Sequence, residues 1–95
     1  MKTSIKRIKD KALPILKEAC VLRSSVFGSY VRGENKKGSD IDILVDLPRG
    51  KSLFDLVGLK IRLEEVLKNK VDIGTYNSLD PLLKDRILRE QIQIL

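Results

Sequence analysis

Histidine and tryptophan are absent from this sequence, and its 95 residues include one cysteine, two tyrosines and two phenylalanines. The lack of histidine excludes acid–base catalysis by imidazole and argues against a structural zinc site. Cys20 has no second cysteine with which to form an internal disulfide, so we expect its side chain to be buried as a small apolar group. These few aromatic rings cannot build a stacking surface for single-stranded nucleic acid, and direct nucleic-acid binding is therefore not expected.

Long apolar segments are also missing. No run approaches the roughly 18 apolar residues of a membrane span, and the basic amino-terminal segment lacks the apolar centre of a signal peptide. The expected location is the cytoplasm. The sequence is 42% hydrophobic and 34% charged, as in globular proteins, and its length predicts a single domain over residues 1–95. The net charge of +6 favours polyanionic partners, and nucleotide phosphates more than RNA.

Two aspartates alternate with apolar residues in the middle of the chain. Period-two alternation places Asp40 and Asp42 on one face of a predicted strand and Ile41, Ile43 and Val45 on the other. Carboxylates at this spacing are roughly 6.5 Å apart and repel each other by on the order of 2–3 kcal/mol at an effective dielectric constant of about 20. A divalent cation, Mg²⁺ or Mn²⁺, is the simplest partner for that face. The alternative interpretation is the solvated face of an ordinary half-buried strand.

A glycine–serine pair precedes these aspartates at a spacing of ten intervening residues. Gly28 and Ser29 follow the apolar end of another predicted strand. A tight turn of this composition offers backbone N–H groups and a hydroxyl group to phosphate. Phosphate donors on one side and metal-binding carboxylates on the other favour a nucleoside triphosphate site over the solvated-strand interpretation.

Hydrophobic periodicity predicts the order helix–strand–strand–helix–strand–helix. We expect the helices at residues 3–18, 53–68 and 81–92, and the strands at residues 21–27, 41–47 and 71–76. This order is typical of an α/β fold with a small mixed β-sheet that is backed by helices on one face. The other face would form an open cleft carrying the acids. Asp72 alternates with Val71 and Ile73 in the third strand, so it would join the acid pair if the two strands are neighbours.

Local patterns refine these elements. Pro14 is expected to kink or split the first helix, and Ser52 and Asp55 have the form of a capping box at the start of the second. Gly58 suggests close packing of the second helix on the sheet, and Asn69 is expected to end that helix in a left-handed conformation. The residues that the second and third helices are expected to bury are Leu53, Leu56, Val57, Ile61, Leu63, Leu67, Leu82, Leu83, Ile87 and either Leu88 or Ile92.

The central segment resembles a known family signature. Gly28-Ser29, ten residues and then Asp40-x-Asp42 are similar to the signature of the polymerase-beta-type nucleotidyltransferase superfamily. The longer strings at residues 27–33 and 39–45 resemble its minimal nucleotidyltransferase (MNT) branch. Asp72 and the final helix also lie where the family has them, so the resemblance covers nearly the whole chain and implies the polymerase-beta-like nucleotidyltransferase fold.

The resemblance implies transfer of a nucleotide from a nucleoside triphosphate to an acceptor hydroxyl group. Asp40 and Asp42 would hold two Mg²⁺ ions, and Asp72 would complete the metal site and accept the proton of the acceptor hydroxyl. Gly28 and Ser29 would bind the β- and γ-phosphates through donors that are already in place.

Two residues of the intervening segment are further candidates for phosphate binding. Arg32 would pair with phosphate oxygens, although a salt bridge that orders the loop explains it nearly as well. Ser39 lies next to Asp40, and we expect it to orient that carboxylate or cap the loop more than to contact the substrate.

The MNT branch is known for antitoxins that pair with HEPN-domain toxins, and some of them add AMP to a tyrosine of the toxin. A one-domain chain has little room for a separate acceptor domain, so the acceptor is expected on another chain. The resemblance thus implies a Mg²⁺-dependent enzyme that transfers AMP from ATP to a tyrosine of a partner HEPN toxin. Two alternatives remain: an antitoxin that neutralises by binding alone, and transfer to a small molecule. Homo- and hetero-oligomeric assemblies both stay open.

Overall fold

Helices and strands follow one another largely in the predicted order. The computed structural model describes residues 2–28, 31 and 40–95. Within that part of the chain the helices are α1 (Lys2–Glu18), α2 (Leu53–Leu67) and α3 (Pro81–Glu90), with a 3₁₀ turn at Tyr76–Ser78. The strands are β1 (Arg23–Phe27), β2 (Ile41–Asp46), β3 (Val71–Thr75) and β4 (Ile92–Gln93). No described helix combines the length and the apolar character that crossing a bilayer requires.

The four strands form one mixed sheet in the order β3-β2-β1-β4. Strand β1 runs antiparallel to both β2 and β4, whereas β2 and β3 are parallel and are connected through α2. A parallel pair needs such a crossover connection, because a tight turn cannot return the chain to the end where the previous strand began. The α/β class with a mixed sheet is therefore confirmed.

Helices α1 and α2 pack against one face of the sheet and complete the hydrophobic core. The predicted stripe of α1 is confirmed, since Ile5, Ile8, Ala12 and Leu16 are all buried. The expected split at Pro14 is wrong, because α1 continues through it with the proline ring on the exposed side, where water can reach the backbone carbonyl left unbonded. The strand residues that complete the core are Val26, Ile41, Ile43, Val45 and Val71.

Helix α2 buries only part of the predicted stripe, namely Leu63 and Leu67. Leu59, Leu63 and Leu67 face the core, and Leu59 was not among the expected residues. The prediction failed because apolar residues occur all around α2, so that periodicity alone does not select one face. The expected packing of Gly58 on the sheet is also wrong: no other atom lies within 4 Å of the position its Cβ would take. The predicted residues of this helix that are exposed instead are Leu53, Val57 and Ile61.

Helix α3 contributes no fully buried residue. Its first turn is capped, because a carboxylate oxygen of Asp80 accepts a hydrogen bond of 2.9 Å from the Leu82 N–H. The expected burial of Leu82 and Leu83 is wrong, since their side chains are exposed, whereas Ile87 and Leu88 are half-buried.

Strand β4 was not predicted from the sequence. We predicted a helix as far as residue 92, but α3 ends at Glu90 and Ile92 pairs with Val26 of β1 instead. The two-residue ladder supplies backbone hydrogen-bond partners that the helix would have supplied, so pairing with a distant strand overrides the local pattern. Ile94, just beyond β4, is buried in the core.

Two residues outside regular structure adopt positive φ angles. Cys20 has a φ of 62° directly after α1, and its side chain is exposed, so the expected burial is wrong. Lys68, and not the predicted Asn69, ends α2 in the left-handed conformation with a φ of 52°. In both places the end of the helix determines the backbone conformation, and this conformation leaves the side chain exposed.

Candidate active site

The sheet face opposite α1 and α2 carries two carboxylates side by side. Asp42 of β2 stands directly across from Asp72 of β3 in the parallel register. Residues in register on neighbouring strands are about 4.8 Å apart and project to the same face. Ile41, Ile43 and Val71 point the other way and are buried, so neither strand can slip by one residue without exposing them. The hydrophobic core therefore fixes the position of this carboxylate pair.

Gly28, at the end of β1, lies against one of these carboxylates. Its predecessor Phe27 pairs with Asp42 across the β1–β2 ladder, and the φ of Gly28 is 79°. A Cβ placed on Gly28 would lie 3.1 Å from the Asp42 Cγ atom and closer still to its Oδ2 atom. Val31 donates its N–H to the Gly28 carbonyl at 3.1 Å. Only glycine fits this position, for reasons of both space and conformation.

The predicted site residues are thus brought together in part. Gly28, Asp42 and Asp72 meet at one end of the sheet face, and exposed Asp40 directly precedes β2, two residues from Asp42. The remaining three predicted residues, which are Ser29, Arg32 and Ser39, lie outside the described residues.

The donor atoms at this end suit a hard divalent cation. Two carboxylates on adjacent strands place like charges about 5 Å apart, which a cation between them would offset. The described residues include no group of three His, Cys, Asp or Glu side chains placed to hold a metal ion by themselves. Mg²⁺ in nucleotide sites is held by one or two carboxylates together with water and substrate phosphates, so the Asp42–Asp72 pair fits it.

A cluster of side chains around Tyr76, which was not predicted from the sequence, covers the other end of the same face. Tyr76, from the 3₁₀ turn, is buried, and its hydroxyl lies 2.7 Å from the Ser25 Oγ atom. Arg23 stacks over the Tyr76 ring at 4.1 Å from its centroid and approaches the Asp46 carboxylate at 3.6 Å. Alternation along β1 could have placed Arg23 and Ser25 on this face. Tyr76 and Arg23 therefore cover part of the face that was expected to be an open cleft.

Comparison with known sequences identifies the family of this chain. The profile of the nucleotidyltransferase domain family matches residues 5–94. MJ0435 of Methanocaldococcus jannaschii, named as a candidate protein adenylyltransferase, is 59% identical over 92 residues, covering 97% of this chain and 99% of MJ0435. The protein adenylyltransferase MntA of Thermococcus cleftensis is 44% identical over 69 residues, covering 73% of this chain and 70% of MntA.

Solved structures share the fold. A structure described as that of a candidate minimal nucleotidyltransferase superposes with a TM-score of 0.78 at 38% identity, covering 88% of this chain and 86% of that chain. A tri-AMPylated Shewanella oneidensis HEPN toxin in complex with an MNT antitoxin gives a match with a TM-score of 0.71 at 21% identity, covering 93% of this chain and 69% of that chain. The chain therefore belongs to the nucleotidyltransferase domain family, as one of its minimal members.

Proposed function

We propose that this protein is an antitoxin that transfers AMP from ATP, with Mg²⁺, to a tyrosine hydroxyl of a partner HEPN toxin. The observation that supports it most is the Asp42–Asp72 pair, held in register against Gly28 in a chain of this family. The similarity to proteins named protein adenylyltransferases favours AMP and a protein acceptor. The shared fold with an MNT antitoxin bound to an AMPylated HEPN toxin suggests the partner. The proposal keeps the cytoplasmic location expected from the sequence.

The chemical step exchanges one bond at phosphorus for another. The acceptor oxygen attacks the α-phosphorus of ATP, the bond from that phosphorus to the oxygen bridging to the β-phosphate breaks, and pyrophosphate leaves. Asp72 lies on β3, the edge strand of the pair, where an acceptor can approach. Its carboxylate takes the proton of the acceptor hydroxyl, a role that histidine, absent from this chain, often has in other enzymes.

The remaining site residues position the triphosphate. In this proposal the β- and γ-phosphates would be bound by the N–H groups of residues 28 and 29 and by the Ser29 hydroxyl. These donors need no rearrangement during the reaction. Arg32 pairs with phosphate oxygens, which its planar guanidinium suits, and Ser39 supports Asp40 or the phosphates.

Asp40, Asp42 and Asp72 would hold the metal ions. Two Mg²⁺ ions, or Mn²⁺ in their place, would supply charge stabilisation to the attacking and leaving oxygens. The protein's own contribution is the fixed separation of the carboxylates, which the sheet register sets.

The proposal is tested with radiolabelled ATP, Mg²⁺ and the purified HEPN partner. Asp42→Asn and Asp72→Asn should each lower label transfer to the partner by roughly 100-fold or more, because each removes one charge from the site. Asp46→Asn is the matched control. It makes the same change on the same face of β2, at a residue that contacts Arg23, and it should transfer label like the parent chain.

The outcomes separate the alternatives. Absence of label on the partner with any of the four nucleoside triphosphates would contradict enzymatic transfer. A chain with Asp42→Asn that no longer transfers label yet still neutralises the toxin would favour the antitoxin that acts by binding alone. Label on a small acceptor in the absence of the partner would favour small-molecule transfer.

A further inference from the structure

Helix α2 has a second apolar face that points away from the core. Leu59, Leu63 and Leu67 already cover the sheet. The outer face of α2 consists of Leu53, Phe54, Val57 and Ile61, which are 73%, 88%, 47% and 51% exposed. The spacing of these four residues places them along one side of the helix. A helix that is apolar on both sides is typical of one that is buried on both sides.

Gly58 opens the surface beside this outer face. No other atom lies within 4 Å of the position its Cβ would take, although glycine at a mid-helix position costs about 1 kcal/mol relative to alanine. It lines a shallow groove between α2 and the end of α1, together with Phe54 and Ala19. A second helix can approach the α2 backbone closely at this point.

The charges at the two ends of the outer face are opposite. Lys51 lies just before the amino-terminal end of α2, and exposed Glu65 lies near its carboxyl-terminal end. If two α2 helices pack antiparallel around a centre between Val57 and Gly58, Lys51 of each copy lies within one residue position of Glu65 of the other, about 1.5 Å along the helix axis. In the same register Phe54 of each copy meets Ile61 of the other. The outer face is therefore complementary to itself under a two-fold rotation.

We propose that the outer face of α2 binds a second copy of this chain in an antiparallel, two-fold symmetric dimer. The four exposed side chains offer on the order of 400 Å² of apolar surface per copy, which is as large as the largest patch of many monomers. Two such patches with their polar rims bury about 1,000 Å², at the lower end of specific interfaces. The net charge of +6 on each copy opposes association, and physiological salt screens this repulsion beyond about 8 Å.

Sedimentation equilibrium of the parent chain and two variants tests the surface. The parent should dimerise with a dissociation constant in the range of roughly 1–100 μM. Phe54→Gln should weaken dimerisation at least about tenfold without loss of the fold, because the side chain is already 88% exposed. Leu82→Gln is the matched control on α3, at 91% exposure, and should dimerise like the parent.

Charge exchange tests the antiparallel arrangement. Lys51→Glu alone and Glu65→Lys alone place like charges together twice in each dimer and should each weaken it several-fold. An equimolar mixture of these two variants restores opposite charges at both contacts, so a heterodimer should form with about the parent affinity. Failure of the mixture to recover would overturn the antiparallel register.

Two further results would overturn the proposal. One is a parent chain that remains monomeric at about 100 μM, where even the weakest expected dissociation constant would place about half of the chains in dimers. The other is a monomeric parent whose binding to the HEPN partner is lost with Phe54→Gln and kept with Leu82→Gln, because that result would assign the outer face to the partner. Neither depends on nucleotide transfer, so the dimer can fail while the proposed function stands.

Discussion

At the scale of single residues, the conformation and the surroundings of Gly28 determine where Asp42 can lie. The chain must turn at the end of β1 with a φ of 79°, and the Asp42 carboxylate occupies the space that a side chain would need. Any other residue would add both backbone strain and a steric clash. The position thus links the proposed phosphate-binding turn to the acid pair.

Gly28→Ala should abolish label transfer, because the new Cβ displaces the Asp42 carboxylate, and it should lower the unfolding free energy by about 1–2 kcal/mol. Gly50→Ala is the matched control, since Gly50 has a φ of 91° with no atom within 4 Å of its Cβ position. This control should lose similar stability but keep full transfer. Urea denaturation and the label assay measure both quantities. Equal transfer by the two variants would contradict the role of Gly28.

Predictions for single residues succeeded where the burial of apolar neighbours determines the side of the strand on which a side chain lies. Ile41 and Ile43 must enter the core, and so the side on which Asp42 lies follows from alternation. Predictions failed where a helix end determines the backbone, as at Cys20 and Lys68. Side-chain type did not indicate which residue would take the left-handed conformation.

At the scale of elements, α2 shows how much a helix depends on its first turn. The Asp55 carboxylate accepts hydrogen bonds from the Ser52 N–H at 2.8 Å and from the Ser52 hydroxyl at 3.2 Å. The Ser52 N–H is the main cause that holds the pKa of Asp55 below its ordinary value. The acidic half of the predicted capping box is therefore present.

Asp55→Ala should lower the thermal midpoint at neutral pH, because the amino-terminal end of α2 loses its acceptor. A depressed pKa in the folded state stabilises the protein above the unfolded pKa, and this contribution disappears as the pH falls through the folded value. The difference in midpoint between the parent and the variant should thus be constant above about pH 5 and vanish at acid pH below ~3.9. Thermal unfolding followed by circular dichroism between acid and neutral pH measures it.

Glu65→Ala is the control for the Asp55 experiment, because it removes a carboxylate from the opposite end of α2. It should produce no loss that depends on pH in this way. A midpoint difference for Asp55→Ala that persists unchanged at the lowest pH would mean that helix propensity, and not the carboxylate, causes it.

The presence of a helix was easier to predict than the side of the helix that is buried. The capped start of α2 is a local pattern, so the sequence reveals it. The buried side of α2 depends on where the sheet lies, and the even distribution of its apolar residues hides that information. The predicted burial of α3 residues failed for another reason. An apolar residue such as Leu82 need not have a core partner within the chain.

At the scale of the whole molecule, Tyr76 joins parts of the chain that are far apart in sequence. Its hydroxyl bonds to Ser25, 51 residues earlier, and its ring lies under Arg23. The end of β3 is thereby fixed to β1 across the central strand β2. No local pattern predicts this contact, since it exists only once the sheet order is known. The short strand β4 was missed for the same reason.

Tyr76→Phe should lower the unfolding free energy by about 1–2 kcal/mol, because Ser25 is buried and would lose its partner. Phenylalanine keeps the ring beneath Arg23, so the change isolates the hydroxyl group. Ser25→Ala should cost a similar amount, and the double variant should cost little more than either single variant. Urea denaturation of the four proteins completes the cycle, and strictly additive losses would show that the two hydroxyls do not act together.

The strand order distributes rigidity unevenly across the site. Asp42 belongs to β2, which has a hydrogen-bonded strand on each side, whereas Asp72 belongs to β3 at the edge of the sheet. Interior strands open only with much of the domain, while edge strands fluctuate at lower free-energy cost. A nucleotide bound at Asp42 would contact a rigid strand, and an acceptor bound at Asp72 would contact a more flexible one. Under the proposed function, the edge strand would thus accommodate acceptors of different shape, whereas the central strand would hold the nucleotide in one position.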